Sequence, residues 1–228
     1  AEIAPMRAQL EDSIASMETL QSSLSDNDDK EAASQVVTAA RSRLNMLDAG
    51  VNIIEESLMA TEAFLKARSG WNAVINADAA IREATALAEE MSKENILASQ
   101  AKGNEALAFL EEAQQDFSQA EAAYPGLDLA AFEAYVVKRM ESQQAALAAD
   151  DAYLSRNKEE LEAQNSRYNA LEEEAAALAQ ELGEDDPEQI VALRFYKEIE
   201  ADQGAYEAER LKAGNADAFL REYLGTAS

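Results

Sequence analysis

The 228-residue sequence predicts an all-α protein, an elongated antiparallel bundle of long helices with coiled-coil-like hairpins. Three observations carry this expectation. In almost every segment apolar residues recur at alternating steps of three and four, which places them on one face of a helix. No segment alternates with period two over a useful length. Eight glycines and three prolines are too few for an all-β or loop-rich chain. Alanine makes up about a fifth of the residues, so the core should consist of closely approaching helices filled in by Leu, Ile, Met and aromatic side chains.

Ile3, Met6, Leu10, Ile14, Met17, Leu20 and Leu24 form the first stripe, core-facing, on a helix starting near Pro5. Asp28 and Glu31 have the spacing of a capping box that opens the next helix. Val37, Ala40, Leu44, Leu47, Val51, Ile54, Leu58, Thr61 and Leu65 then keep phase straight through Gly50, which therefore lies inside a helix at a cost of about 1 kcal/mol relative to alanine. Phase is lost at Ser69-Gly70-Trp71, read as a turn. Val74, Ala77, Ile81, Ala84, Ala88 and Met91 continue, followed by Ala106, Leu110, Ala113, Phe117, Ala120 and Tyr124. The two halves are out of step across Lys102-Gly103-Asn104, where a helix breaks or a stutter alters its winding.

Tyr124-Pro125-Gly126 is a stop, with Asp128 as the following N-cap. Leu129, Phe132, Val136, Met140, Leu147 and Leu154 mark the next helix, with Gln143 and Asp150 on or beside its stripe. Asn157 and Glu160 cap a helix whose heptad seam is Leu161, Gln164, Tyr168, Leu171, Ala175, Leu178 and Leu182, closed by Gly183. Asp186-Pro187-Glu188-Gln189 opens the last long segment, which should bury Ile190, Leu193, Tyr196 and Ile199. Gly214-Asn215 then sets off a short terminal helix.

Helices of about 40 residues would be about 60 Å long, and short connections make neighbours antiparallel. All fourteen aromatic residues lie at or after Phe64, so the first 63 residues are expected to pack through aliphatic side chains alone. The expected division is a hairpin over residues 1–70 and a bundle over 71–228, or one continuous elongated domain. Ala113-x3-Phe117-x2-Ala120-x4-Pro125 resembles the second helix of a tetratricopeptide repeat over about 13 residues. Leu97 and Asn104 stand where that repeat has tryptophan and tyrosine, and no second copy follows, so only a loosely similar stacking of helix pairs is carried over.

The composition excludes whole classes of chemistry. With no histidine and no cysteine there is no Ser-His-Asp triad, Glu-x-x-His di-iron pair, classical zinc enzyme site or iron–sulfur cluster, and no disulfide. No phosphate-binding glycine loop of either common type is present. The run Asp26-Asn27-Asp28-Asp29-Lys30 is not an EF-hand: it places a lysine at the fifth loop position and Val37 where the bidentate glutamate belongs. Glu184-Asp185-Asp186 reads as helix capping. The runs Glu55-Glu56, Glu89-Glu90, Glu111-Glu112 and Glu172-Glu173-Glu174 read as solvated faces flanking apolar seams. Trp71 reads as a packing residue, while Gln143 and Asp150 either fix helix register or line a cavity between helices. No catalytic, metal-ligating or cofactor-binding set is expected.

The 45 acidic and 19 basic residues leave a net charge of −26, of which residues 104–188 carry −16. Such a surface disfavours nucleic acid and anionic lipid and favours a cationic protein partner. No stretch approaches the roughly 18 consecutive apolar residues of a membrane span. The chain begins at Ala1 without a signal sequence, and a fold without thiols is indifferent to redox compartment, so an extracellular or cell-envelope location is expected. The function expected is that of a non-enzymatic extracytoplasmic scaffold or protein-binding module; the alternative is a ligand-binding or sensor bundle with a cavity between helices. Folding brings the excess carboxylates together, and salt screens them over about 3 Å at 1 M. Sodium chloride at 1 M should therefore raise the melting temperature; an unchanged or lower value would show that self-repulsion does not limit stability.

Overall fold

Side-chain oxygens decide where most of the helices begin. In the computed structural model, which describes residues 3–183 and 186–226, Asp26 accepts hydrogen bonds from the backbone N–H groups of Asp28 and Asp29 at 2.8 and 3.2 Å. The cap of the longest helix is thus Asp26, not Asp28. Ser92 receives the N–H of Asn95 at 3.1 Å, Asn157 that of Glu160 at 3.2 Å, and Asp186 that of Gln189 at 2.7 Å ahead of Pro187. Asp128 is not the N-cap expected for the next helix: Leu129 takes that position, and Asp128, one residue earlier, accepts the N–H of Ala130 at 3.1 Å. Each satisfies a donor that the first turn leaves unpaired. The described residues form six helices and no strand: α1 (Ile3–Ser23), α2 (Asn27–Glu89), α3 (Lys93–Ala123), α4 (Ala130–Leu154), α5 (Lys158–Leu182) and α6 (Pro187–Tyr223). They comprise 91% of those residues, an all-α helical bundle.

Two compact units divide the chain, one made of Ala1–Ser57 with Tyr196–Ser228, the other of Leu58–Phe195. In the first, α1 runs antiparallel to α2, with Arg7 forked onto Asp48 at 2.8 and 3.1 Å and Glu18 paired with Arg41. The second half of α6 is also antiparallel to α2, through Arg43–Asp217 at 2.6 Å, Asn52–Asp202 at 3.2 Å and the bond from the Tyr223 hydroxyl to Asp29. That helix brings the half-buried Tyr206 and Phe219 into this unit, so residues 1–63 do not pack with aliphatic partners alone. The α1 stripe is only partly core-facing: Ile14 is buried, whereas Met6 and Leu20 are exposed, and the side chain of Ile3 lies outside the described residues.

In the second unit α3 runs antiparallel to α2, α4 to α3 and α5 to α4. Lys66–Asp116 at 3.0 Å joins the first pair, Ser118–Glu133 at 3.0 Å the second, and Arg139–Glu172 at 2.7 Å the third. The core gathers Val74, Leu110, Phe117, Tyr124, Leu129, Phe132, Val136 and Val191. Trp71 meets Phe132 edge-on at 5.6 Å and Phe117 meets Phe132 at 5.9 Å, a packing role for the single tryptophan. The stop at Tyr124-Pro125-Gly126 is locked by Arg194 of α6, whose guanidinium lies 5.2 Å from the centre of the Tyr124 ring and bonds the Pro125 carbonyl at 2.9 Å. Gly126 takes φ +80, a conformation that strains any side chain, and a Cβ there would also push the guanidinium aside.

The seams in the second unit are lined chiefly by small residues. On α2 the buried positions Ala60, Ala63, Ala67, Gly70, Val74, Ala77, Ile81 and Ala84 alternate in steps of three and four; on α3, Ile96, Ser99, Gly103, Ala106, Leu110, Ala113, Phe117, Ala120 and Tyr124 do the same. This overturns three sequence expectations. Ser69-Gly70-Trp71 is not a turn: α2 continues through it, and a Cβ at Gly70 would lie 2.8 Å from the Phe117 ring and 3.1 Å from the Ala113 carbonyl. Gly103 is not a break or stutter but a seam position where a Cβ would stand 2.5 Å from Gln143 and 2.8 Å from Leu147. The break is earlier, at Glu90–Ser92, where Met91 takes φ +46. Leu58 and Leu65, on the stripe of larger residues, face solvent because the small-residue stripe is the one buried.

Gly50 lies within α2 as expected. Gly214-Asn215 does not end a helix, since α6 runs unbroken to Tyr223; Leu193 and Tyr196 on it are exposed, not buried. The helical glycines therefore fall into two kinds. Gly70 and Gly103 are contact glycines, while Gly50 and Gly214 have nothing within 4 Å of an added Cβ. Gly70→Leu and Gly103→Leu should each cost about 1–3 kcal/mol or more by overpacking, and Gly50→Ala and Gly214→Ala should each gain about 0.5–1 kcal/mol. Urea titration checks both, and equal effects at all four positions would refute the distinction.

Candidate functional site

Most of the buried polar side chains of the second unit come from α4, with Ser99 and Asp116 of α3 beside them. The buried positions of α4 include Phe132, Val136, Arg139, Gln143 and Asp150 on one heptad track and Ser142, Ala145, Ala149 and Ala152 on another. Arg139 is the centre of the larger groove, about 480 Å³, between α2, α4 and α5. Its guanidinium bonds Asp78 of α2 at 2.6 Å and both carboxylate oxygens of Glu172 of α5 at 2.7 Å. The Ser142 hydroxyl, also on α4, donates to Glu172. Burial lowers the pKa of Arg139, but Asp78 and Glu172 outweigh it and raise the value overall. One arginine thus clamps three helices, and its Nε remains buried without a hydrogen-bond partner.

Tyr135 and Tyr168 form aromatic walls of this groove, and burial pushes both phenols above the ordinary tyrosine range. Neither supplies a phenolate near neutral pH. The groove is open to solvent rather than enclosed. A smaller one beside it, about 130 Å³, is lined by Ala84, Thr85, Ala88, Ser99, Gln143, Ala146, Ala149, Asp150, Asn165 and Tyr168. Ser99 donates to Asp150 at 2.9 Å, and Gln143 sits against Gly103, so both polar positions lock α3 to α4. Burial raises the Asp150 carboxyl above its usual pKa, partly offset by the Ser99 hydrogen bond.

The acidic runs separate in structure. Glu172 is a half-buried clamp, which corrects its reading as part of a solvated face; Glu174 is exposed and pairs with Lys138 at 2.8 Å; Glu173 is exposed. Glu111-Glu112 and Glu89-Glu90 are exposed, whereas Glu56 lies half-buried on the α2 seam. Glu184 and Asp185 lie outside the described residues. Among the described residues no three His, Cys, Asp or Glu side chains converge as a metal site requires, and no helix is long and apolar enough to cross a membrane. Arg139 was legible only as a charge at a three-four step between Val136 and Gln143; its partners Asp78 and Glu172 carry no such signal. No family model matches the chain, and no curated protein or solved structure matches it.

Because its folded pKa is raised, Asp150 opposes folding once it ionises: the native state holds that proton more tightly, so stability is lost as pH rises from the unfolded carboxyl value through the folded one. Asp150→Asn keeps an acceptor for Ser99 without the charge. It should raise the melting temperature at pH 7, and the gain should vanish below about pH 3, where the carboxyl is neutral in both states. A gain independent of pH would refute this assignment.

Proposed function

We propose that this chain is a non-enzymatic helical module that binds another protein, in the cell envelope or extracellular space. The observation that carries the reading is the solvent-facing apolar stripe on α2 in the second unit. Leu58 and Leu65 are 67% and 59% exposed and one heptad apart, the spacing at which a second helix packs. The ion pair between Arg68 and Glu188 sets the start of α6 beside this stretch, and Leu193 there is 69% exposed. Glu62, exposed between the two leucines, gives the stripe an acidic flank, in keeping with the net charge of −26. The occupant that fits is an amphipathic helix of a partner protein with basic residues beside its apolar stripe.

The groove around Arg139 supports a non-catalytic reading, because Arg139, Asp78 and Glu172 at its base are engaged in holding α2, α4 and α5 together. A fold without thiols keeps its structure in an oxidising compartment, which supports the location. The alternative, a ligand-binding bundle, draws on the same groove: Tyr135, Tyr168 and Ala179 leave about 480 Å³ open beside the clamp.

A synthetic amphipathic helix of leucine and lysine heptads serves as the probe, titrated against the wild type and Leu58→Asp/Leu65→Asp by fluorescence anisotropy. The added carboxylates strengthen the general attraction for a cation, so a loss of at least about tenfold in affinity isolates the apolar stripe, at roughly 1.4 kcal/mol per tenfold. Equal or tighter binding by the double variant would overturn the docking reading.

A further inference from the structure

A second pocket, of about 470 Å³, lies at the end of the second unit where α3 and α5 begin and α4 ends. It is lined by Lys93, Ala152, Tyr153, Leu154, Arg156, Asn157, Lys158 and Leu161. Three cations line it and no carboxylate does, in a chain with 45 acidic and 19 basic residues. Of the five basic residues between 104 and 188, two stand here. By contrast, the groove around Arg139 has mixed charge, with Asp78, Glu89 and Glu172 beside Arg82 and Arg139.

The connections that form the pocket are tied together. The Tyr153 hydroxyl donates to the Met91 carbonyl, joining the α4 end to the turn before α3. Met91 at φ +46 and Arg156 at φ +58 are, among the described residues, the non-glycine positions with positive φ. Lys158 reaches Glu162 at 3.5 Å, but that lysine side chain is 87% exposed, so the pair neutralises it weakly. The positive dipole ends of α3 and α5 are offset by Glu94, Glu159 and Glu160 in their first turns and by the C-terminal end of α4, so the positive charge of the pocket comes from its three side chains. Beside the cations, Ala152, Tyr153, Leu154 and Leu161 supply the apolar part of the lining.

We infer that this pocket binds a small amphipathic anion, with a carboxylate or phosphate head between Lys93, Arg156 and Lys158 and a short apolar tail against Tyr153, Leu154 and Leu161. The site is independent of the helix-docking stripe on α2. An anion relieves the mutual repulsion of three cations, and the tail removes apolar wall from water, so neither half of the ligand accounts for binding alone. The acidic body disfavours the same headgroup on an anionic membrane, so the ligand is taken from solution.

The test uses octanoate as probe, with acetate and inorganic phosphate as heads without tails and octylammonium as a tail of opposite charge. Amide chemical shifts of Lys93, Tyr153–Lys158 and Leu161 report the site. Octanoate should shift them saturably, more tightly than acetate or phosphate, while octylammonium leaves them unmoved. Lys93→Gln/Lys158→Gln should weaken octanoate by at least about tenfold, the scale of a lost charged hydrogen bond. Arg156→Gly, which relaxes the positive φ while removing the charge, should weaken it without loss of folding. Absence of octanoate binding, equal shifts from octylammonium, or unchanged affinity in the double variant would overturn the inference. Wild type should not pellet with phosphatidylglycerol vesicles; pelleting that the double variant loses would overturn the free-ligand form.

Discussion

Close approach of helix backbones in the second unit is the constraint on which its arrangement depends. The α2 seam is built mostly from alanine and glycine and the α3 seam interleaves them with larger residues, and a carbon added at Gly70 or Gly103 would meet Phe117, or Gln143 and Leu147, at under 3 Å. A seam of this kind gains less from each side chain than a leucine seam, but brings more backbone and Cβ atoms into contact over its length. The small positions leave room for a few large residues, such as Phe117, which meets Phe132 and with it Trp71 in the aromatic cluster, while others, such as Leu58 and Leu65, are left on the surface. The exposed stripe proposed as a docking surface is therefore a by-product of the way the interior is assembled.

Within this closely packed frame the polar interior residues specify which helix lies where. Small, similar seams tolerate sliding by a heptad, because alanine against alanine looks the same one repeat away. Arg139, bridging Asp78 and Glu172, and Ser99, bonded to Asp150, fit only one register. A shift of seven residues would leave the buried guanidinium without either of its half-buried carboxylate partners, a penalty that falls mainly on the arginine. The ionic clamp thus contributes more to uniqueness than to net stability.

Local chemistry was well legible in the sequence. The caps at Asn157 and Asp186, the stop at Tyr124-Pro125-Gly126 and the α5 seam from Leu161 to Leu182 all appear in the structure, because each depends on neighbours within a few residues. The glycines were not. A glycine that relieves a turn and one that admits a neighbouring ring look alike in one chain, and only the position of Phe117 distinguishes Gly70. Choosing large residues as the buried stripe of α2 misled for the same reason: hydrophobic size predicts burial only when the partner helix has room for it. The Arg139 clamp joins residues 61 and 33 positions apart, so periodicity along a single helix could not find it.

The alanine seams also bear on how the protein responds to temperature. Heat capacity rises on unfolding in proportion to the apolar surface newly wetted, and an alanine contributes little of it compared with a leucine or phenylalanine. A core with so many methyl groups in place of longer side chains gives a small heat-capacity increment per residue and a shallow stability curve. Its stability is spread over a wide temperature range instead of peaking sharply, and cold costs it less than it would a protein of equal length with a thick aliphatic centre.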